Sequence, residues 1–152
     1  MKKTILTVCA LAMLTACAQS DSDSKALSST KASKALIEEL AQKVGDKVYF
    51  AFDNSSLSEE AKAILAKQAE LMQKYSTATF TIEGHADQRG TAEYNIGLGE
   101  RRANAVKSFL TSKGGISPSR LTVISYGKER LADDRTTEDA YANNRRAVTV
   151  AN

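Results

Sequence analysis

The sequence predicts an α/β fold: a small sheet with helices packed on one face. Three observations point to it. Two long stretches carry apolar residues at helical spacing, short aromatic and β-branched runs separate them, and Ser, Thr and Gly punctuate the joins. Helices that alternate with strands require crossover connections, which lay them against the sheet. The chain has 152 residues, 42% hydrophobic and 26% charged, a composition that suits one ordered domain. A formal charge of +3 is too small to imply nucleic-acid binding. One His and two Cys exclude a Cys/His zinc cluster, and neither metal nor cofactor is expected.

The first element is an address. Lys2 and Lys3 precede thirteen uncharged, mostly apolar residues, Thr4 to Ala16. A membrane-spanning helix needs about 20 such residues, so the basic start and short apolar run describe a secretory signal peptide. A first helix of the domain is the alternative, but Gln19 to Lys34 is polar and Ser-rich and gives it nothing to pack against. Leu14-Thr15-Ala16-Cys17 resembles the bacterial lipobox. That resemblance implies loss of residues 1–16, Cys9 among them, and acylation of Cys17; an ordinary secreted protein with a free thiol is the alternative. Several acyl chains anchor stably where one does not. Ala18 stands where an inner-membrane retention signal usually has Asp, which points to the outer membrane. Losing Lys2 and Lys3 takes the formal charge from +3 to +1. Residues 17–35 then read as a Ser-rich flexible tether, and 36–152 as the domain.

Within the domain, Leu36, Ile37, Leu40 and Val44 predict a short amphipathic helix stopped by Gly45. Val48 to Asp53 predicts a strand running into the turn Asn54-Ser55-Ser56. Ser58 is placed to cap the next helix, with Glu59 and Glu60 in its first turn. Ala61, Ile64, Leu65, Leu71, Met72 and Tyr75 form its apolar face. Phe80 to Glu83 alternates as a second strand and ends in Gly84-His85-Ala86-Asp87. Thr91 caps a second long helix that runs to about Lys113 and stops at Gly114-Gly115, with Pro118 beyond. Leu121 to Tyr126 is a third strand. Thr137, Glu138 and Asp139 open a short helix, and Ala147 to Val150 is the final strand.

Two places attract chemistry. On the second long helix Leu98, Ala105, Val106 and Phe109 predict a core stripe, and Arg102 lies inside it. A buried guanidinium is costly unless paired; a structural ion pair with a nearby Asp, a snorkelling side chain and a ligand clamp all satisfy the spacing. The second place is Glu83 to Thr91, between a strand end and a helix N-terminus. Ligands collect at that edge of open α/β sheets, and free N–H groups there favour anions. Gly84 and Gly90 permit backbone that a side chain would block. His85 lacks partners for a metal site and reads as a hydrogen-bonded turn residue.

Taken together, Ile82-Glu-Gly-His-Ala-Asp87, Gly90, Tyr94-Asn95, Leu98, Arg101-Arg102-Ala103, Val106, Leu110, Gly115-Ile116, Arg120-Leu121, Gly127 and Asn144-Arg145-Arg146 resemble the OmpA-like peptidoglycan-binding domain. Tyr49 to Asp53, Arg89-Gly90-Thr91 and Ser125 to Glu129 resemble its lipid-anchored, Tol-associated branch. The resemblance implies an OmpA-like β-α-β-α-β-(α)-β sandwich on a small mixed sheet. It also implies non-covalent binding of the peptidoglycan stem peptide through meso-diaminopimelate, whose free end bears an ammonium and a carboxylate on one carbon. Asp87 matches the family's ammonium-binding Asp and Arg102 its carboxylate-binding Arg, with Asp87 expected beside Arg102 when the site is empty. Phe52, Asp53, Arg89, Thr91, Tyr94, Asn95 and Leu98 would complete the wall.

By the same resemblance the protein is a tether and not an enzyme. Cys17 would hold the outer membrane, the domain peptidoglycan, and the periplasmic Tol β-propeller with other Tol components would be partners in envelope constriction. An OmpA-like lipoprotein outside the Tol system is one alternative. A peptidoglycan hydrolase using Glu83, His85 and Asp87 is another. For Asn144-Arg145-Arg146 a structural role, pairing acidic residues before the last strand, outweighs ligand contact. Gly99 departs from the family, which often has Ser there.

Overall fold

In the computed structural model, residues 33–152 are described; the leader, Cys9, Cys17 and the tether to residue 32 lie outside them. The strands are β1 (Lys47–Tyr49), β2 (Phe80–His85), β3 (Leu121–Gly127) and β4 (Arg146–Ala151). The helices are α1 (Glu59–Lys74), α2 (Ala92–Ser112) and α3 (Glu138–Asn144). The sheet runs β1-β4-β2-β3, with β2 and β3 parallel and β4 antiparallel to both β1 and β2. The mixed α/β sandwich expected from the alternation is therefore present. The parallel pair needs a crossover, and α2 supplies it.

Helix entry follows the capping residues. Ser58, Thr91 and Thr137 each accept a hydrogen bond, from the N–H of Ala61, Tyr94 and Ala140. Each satisfies an N–H that the helix itself cannot. The chain is helical from residue 33, so 33–35 already belong to a helix, which closes in a π-helical segment Glu39–Val44. It ends at Gly45, whose φ of 95° suits glycine. After α2, Gly115 takes φ 66° and the Ile116 N–H returns to Leu110 O at 3.0 Å, closing the helix end.

Phe80 and Ile82 of β2, Val48 of β1 and Ala147 of β4 meet Leu65, Ala69, Met72, Ala103, Val106 and Leu110 of the two long helices in one buried core. A polar pair sits within it. Gln68 donates to Gly45 O at 2.6 Å and accepts from the Thr149 hydroxyl at 2.8 Å, so neither side chain is left unsatisfied. Helix and sheet approach closely at Gly84 and Gly99, where a Cβ on Gly84 would stand 1.8 Å from Gly99 O.

Two sequence expectations change. The buried stripe of α2 is Leu98, Arg102, Ala103, Val106 and Leu110, while Ala105 and Phe109 lie at its margin. The Gly84–Gly99 contact turns the helix so that this row faces the sheet. The first strand also stops at Tyr49, short of the expected Asp53. Phe50 still donates to Arg145 O at 2.8 Å, but the chain then turns, with Asp53 at φ 50°. The carbonyls of Ala51 and Asn54 point to Arg102 instead of a strand.

Candidate ligand-binding pocket

Three segments converge on one opening: the turn after β1, the link from β2 to α2, and the first three turns of α2. They enclose a pocket of about 180 Å³ lined by Phe52, Asp53, Asp87, Arg89, Gly90, Tyr94, Asn95, Leu98 and Arg102. Eight of the nine residues proposed from the sequence line it; Thr91 does not, because its hydroxyl caps α2, and Gly90 lines it in addition. The volume is well under the roughly 300 Å³ at which pockets begin to enclose a drug-sized ligand. It suits the end of a longer molecule.

Arg102 forms the floor. It is 0% exposed, held on the core stripe of α2. Its Nε donates to Asn54 O at 2.9 Å, one Nη to His85 O at 2.8 Å and the other to Ala51 O at 3.1 Å. A guanidinium has five N–H groups, so two are left for a ligand. Among the described residues no carboxylate lies within ion-pair distance of Arg102. Burial lowers its pKa to about 10, against the opposing pull of Asp87, so it remains charged at neutral pH.

Asp87 is 4% exposed. Contrary to expectation, its close neighbour is Arg89 and not Arg102. Arg89 Nη2 lies 2.7 Å from Oδ2, and Arg89 Nε and backbone N donate to Oδ1 at 3.2 and 3.1 Å. A cation two residues away shares the same turn, whereas Arg102 turns three of its five donors to backbone carbonyls. Burial pushes the Asp87 carboxyl up, but the Arg89 bonds outweigh it and the net shift is downward. Arg145 Nη1 stands 3.5 Å from the same carboxylate and 2.9 Å from Glu138 Oε1.

The rim is aromatic. Phe52 is 60% exposed and Tyr94 48%, and the Tyr94 hydroxyl donates to Asp53. Asn95 is buried and donates to Arg89 O at 2.7 Å, while Lys128 reaches Gly90 O at 2.6 Å. Both hold the Asp87–Gly90 link in shape, and Gly90 there takes φ 87°.

The three residues weighed for hydrolysis are not brought together. Asp87 lines the pocket, whereas Glu83 and His85 are absent from the lining and approach each other at 3.5 Å. His85 closes a strand and not a turn. It is 1% exposed, neither ring nitrogen makes a hydrogen bond of full geometry among the described residues, and the ring lies 5.6 Å from that of Tyr126. Burial first, then the charge of Arg146, lowers its pKa to about 4. Asn144 accepts from the N–H of Ala132 and Asp133 and donates to Gln88 Oε1 and Asp133 O, a structural role. Glu138 and Tyr141, which flank Arg89, went unnoticed in the sequence. Glu138 showed there only as a first-turn charge, and Tyr141 carried no signal.

The pocket thus brings a buried carboxylate, Asp87, and a buried guanidinium, Arg102, to one opening. Comparison with known proteins agrees with the fold. The OmpA family model matches residues 49–145. The peptidoglycan-associated lipoprotein of Brucella melitensis is 47% identical over 109 residues, 72% of this chain and 64% of that protein's length. That of Haemophilus influenzae is 37% identical over 146 residues, 96% of this chain and 95% of the relative. The crystal structure of the peptidoglycan-associated lipoprotein from Burkholderia pseudomallei superposes with a TM-score of 0.71 at 32% identity, covering 76% of this chain and 98% of that one. The chain belongs to the OmpA family.

Proposed function

We propose that this protein binds peptidoglycan non-covalently, taking the free end of meso-diaminopimelate into the pocket. Its carboxylate meets the two unspent N–H groups of Arg102 and its ammonium meets Asp87, with Phe52, Asp53, Tyr94 and Leu98 packing around the methylene chain. The observation that carries this reading is Arg102: a fully buried cation at a pocket floor, with no carboxylate at ion-pair distance among the described residues. Arg suits the task because its planar fork holds a carboxylate through two parallel bonds, which an ammonium does not.

Cys17 carries the lipid in this reading. The protein tethers the outer membrane to the wall with its domain in the periplasm, and it breaks no bond. Similarity to the peptidoglycan-associated lipoproteins supports the peptidoglycan assignment, and our reading adds a role with the Tol system in envelope constriction. Co-purification of a Tol β-propeller tests that extension; its absence leaves an OmpA-like lipoprotein outside the system.

Sedimentation with purified sacculi tests the ligand. Asp87→Ala and Arg102→Ala should each lower the bound fraction at least about tenfold, as expected when one half of a desolvated charge pair is removed. Both variants should retain a folded circular dichroism spectrum. Undiminished sedimentation of both would sink the assignment, and release of muropeptides from the sacculi by the wild type would show an enzyme.

A further inference from the structure

Arg89 is held in an unusual way for a pocket cation. Its guanidinium carbon lies 4.1 Å from the centre of the Phe52 ring and 4.3 Å from that of Tyr141. The same group stands between two carboxylates. Nη2 is 2.7 Å from Asp87 Oδ2, while Nη1 is 3.6 Å from Glu138 Oε2. The first contact is a full hydrogen bond and the second stops short of one. Asp87 is therefore already neutralised before any ligand arrives.

An incoming ammonium cannot share Asp87 with Arg89 without a second anion to take up the extra charge. Glu138 is the carboxylate already facing the other edge of the guanidinium. Two aromatic faces bind a cation through a broad attraction that survives rotation in the ring plane. Arg89 can thus pivot without leaving its stack. Arg145 contacts both carboxylates, at 3.5 Å and 2.9 Å, and is common to both ends of the exchange.

We infer that Arg89 is a resident counter-cation for Asp87 that steps to Glu138 when a ligand brings its own ammonium, which makes Glu138 a specificity-determining residue outside the pocket lining. This inference rests on the diaminopimelate reading. A ligand end without a cation leaves Arg89 in place and gains nothing from Asp87.

The test is calorimetric titration of the full-length protein in detergent with the tripeptide L-Ala-γ-D-Glu-meso-diaminopimelate, and with an analogue lacking the distal amine. Glu138→Gln should weaken the diaminopimelate tripeptide about threefold to tenfold, the scale of a partly exposed ion pair, and leave the analogue unchanged. In an Arg89→Gln background the same substitution should have no effect. Wild-type affinity of Glu138→Gln for both peptides, equal weakening of both, or a loss persisting without Arg89 would each overturn the exchange while leaving the ligand assignment standing. Failure of the wild type to bind the tripeptide would overturn both.

Discussion

Gly84 and Gly99 bring the backbones of helix and sheet into close contact, so the substitution Gly84→Ala puts the packing argument to a sharp test. The added Cβ would stand 1.8 Å from Gly99 O and 2.5 Å from its carbonyl carbon. Real Cβ atoms essentially never come within 3.0 Å, so α2 must move at least about 1.2 Å off β2. Both obstructing atoms are backbone and cannot rotate away. Overpacking of this kind costs about 1–3 kcal/mol or more, and the upper end applies here. For a domain of this size that lowers the melting temperature by roughly 10–15 °C. The shift also carries Arg102 away from Asp87, because one sits on α2 and the other just beyond β2, so sacculus binding should fall in the same variant. Gly97→Ala is the control. Its Cβ meets only the movable tip of Arg101 at 3.4 Å, and helix propensity should stabilise it by up to about 1 kcal/mol. Thermal denaturation by circular dichroism reads both. A Gly84→Ala melting point within about 2 °C of wild type would refute the close-contact reasoning.

Three further outcomes are expected. Asn144→Ala removes four hydrogen bonds from a fully buried side chain and should cost about 2–4 kcal/mol in urea denaturation. For His85, the folded pKa of about 4 lies below the ordinary imidazole value of 6.5, so between those values the unfolded chain takes up a proton that the folded one refuses. Stability should therefore fall as pH drops from 6.5 toward 4, and His85→Phe should flatten that slope. Intact mass of the membrane-purified protein should show loss of residues 1–16 and acyl chains on Cys17; Cys17→Ala should yield an unacylated form.

What the sequence disclosed and what it withheld divide along physical lines. Ser58 and Thr91 were readable as caps, and Thr137 as a helix opening, because a cap joins one side chain to an N–H three residues on. The odd placement of Arg102 was readable for the same reason, as spacing on a single helix. Its partners were not. The carbonyls it grips belong to Ala51, Asn54 and His85, up to 51 residues away, and nothing in a one-dimensional pattern distinguishes a carbonyl aimed at a guanidinium from one aimed at solvent. The expected strand through Asp53 erred for that reason: Phe50 and Phe52 have strand character, but Arg102 draws the backbone into a turn. The Asp87–Arg89 pair was hidden because a family resemblance implies which charges would meet a ligand and is silent on which protein charges meet each other. Strand order was equally hidden, since alternation marks a strand without naming its neighbours.

That strand order has a consequence for how the molecule comes into being. β4 follows every other strand in the chain yet lies between β1 and β2. During synthesis β1 emerges early and then waits, without its sheet neighbour, until Arg146 to Ala151 arrive. β2 and β3 pair directly across the α2 crossover, but β1 joins the sheet only through β4. Assembly is set by the most distant pairing, which keeps the sheet open until β4 is available.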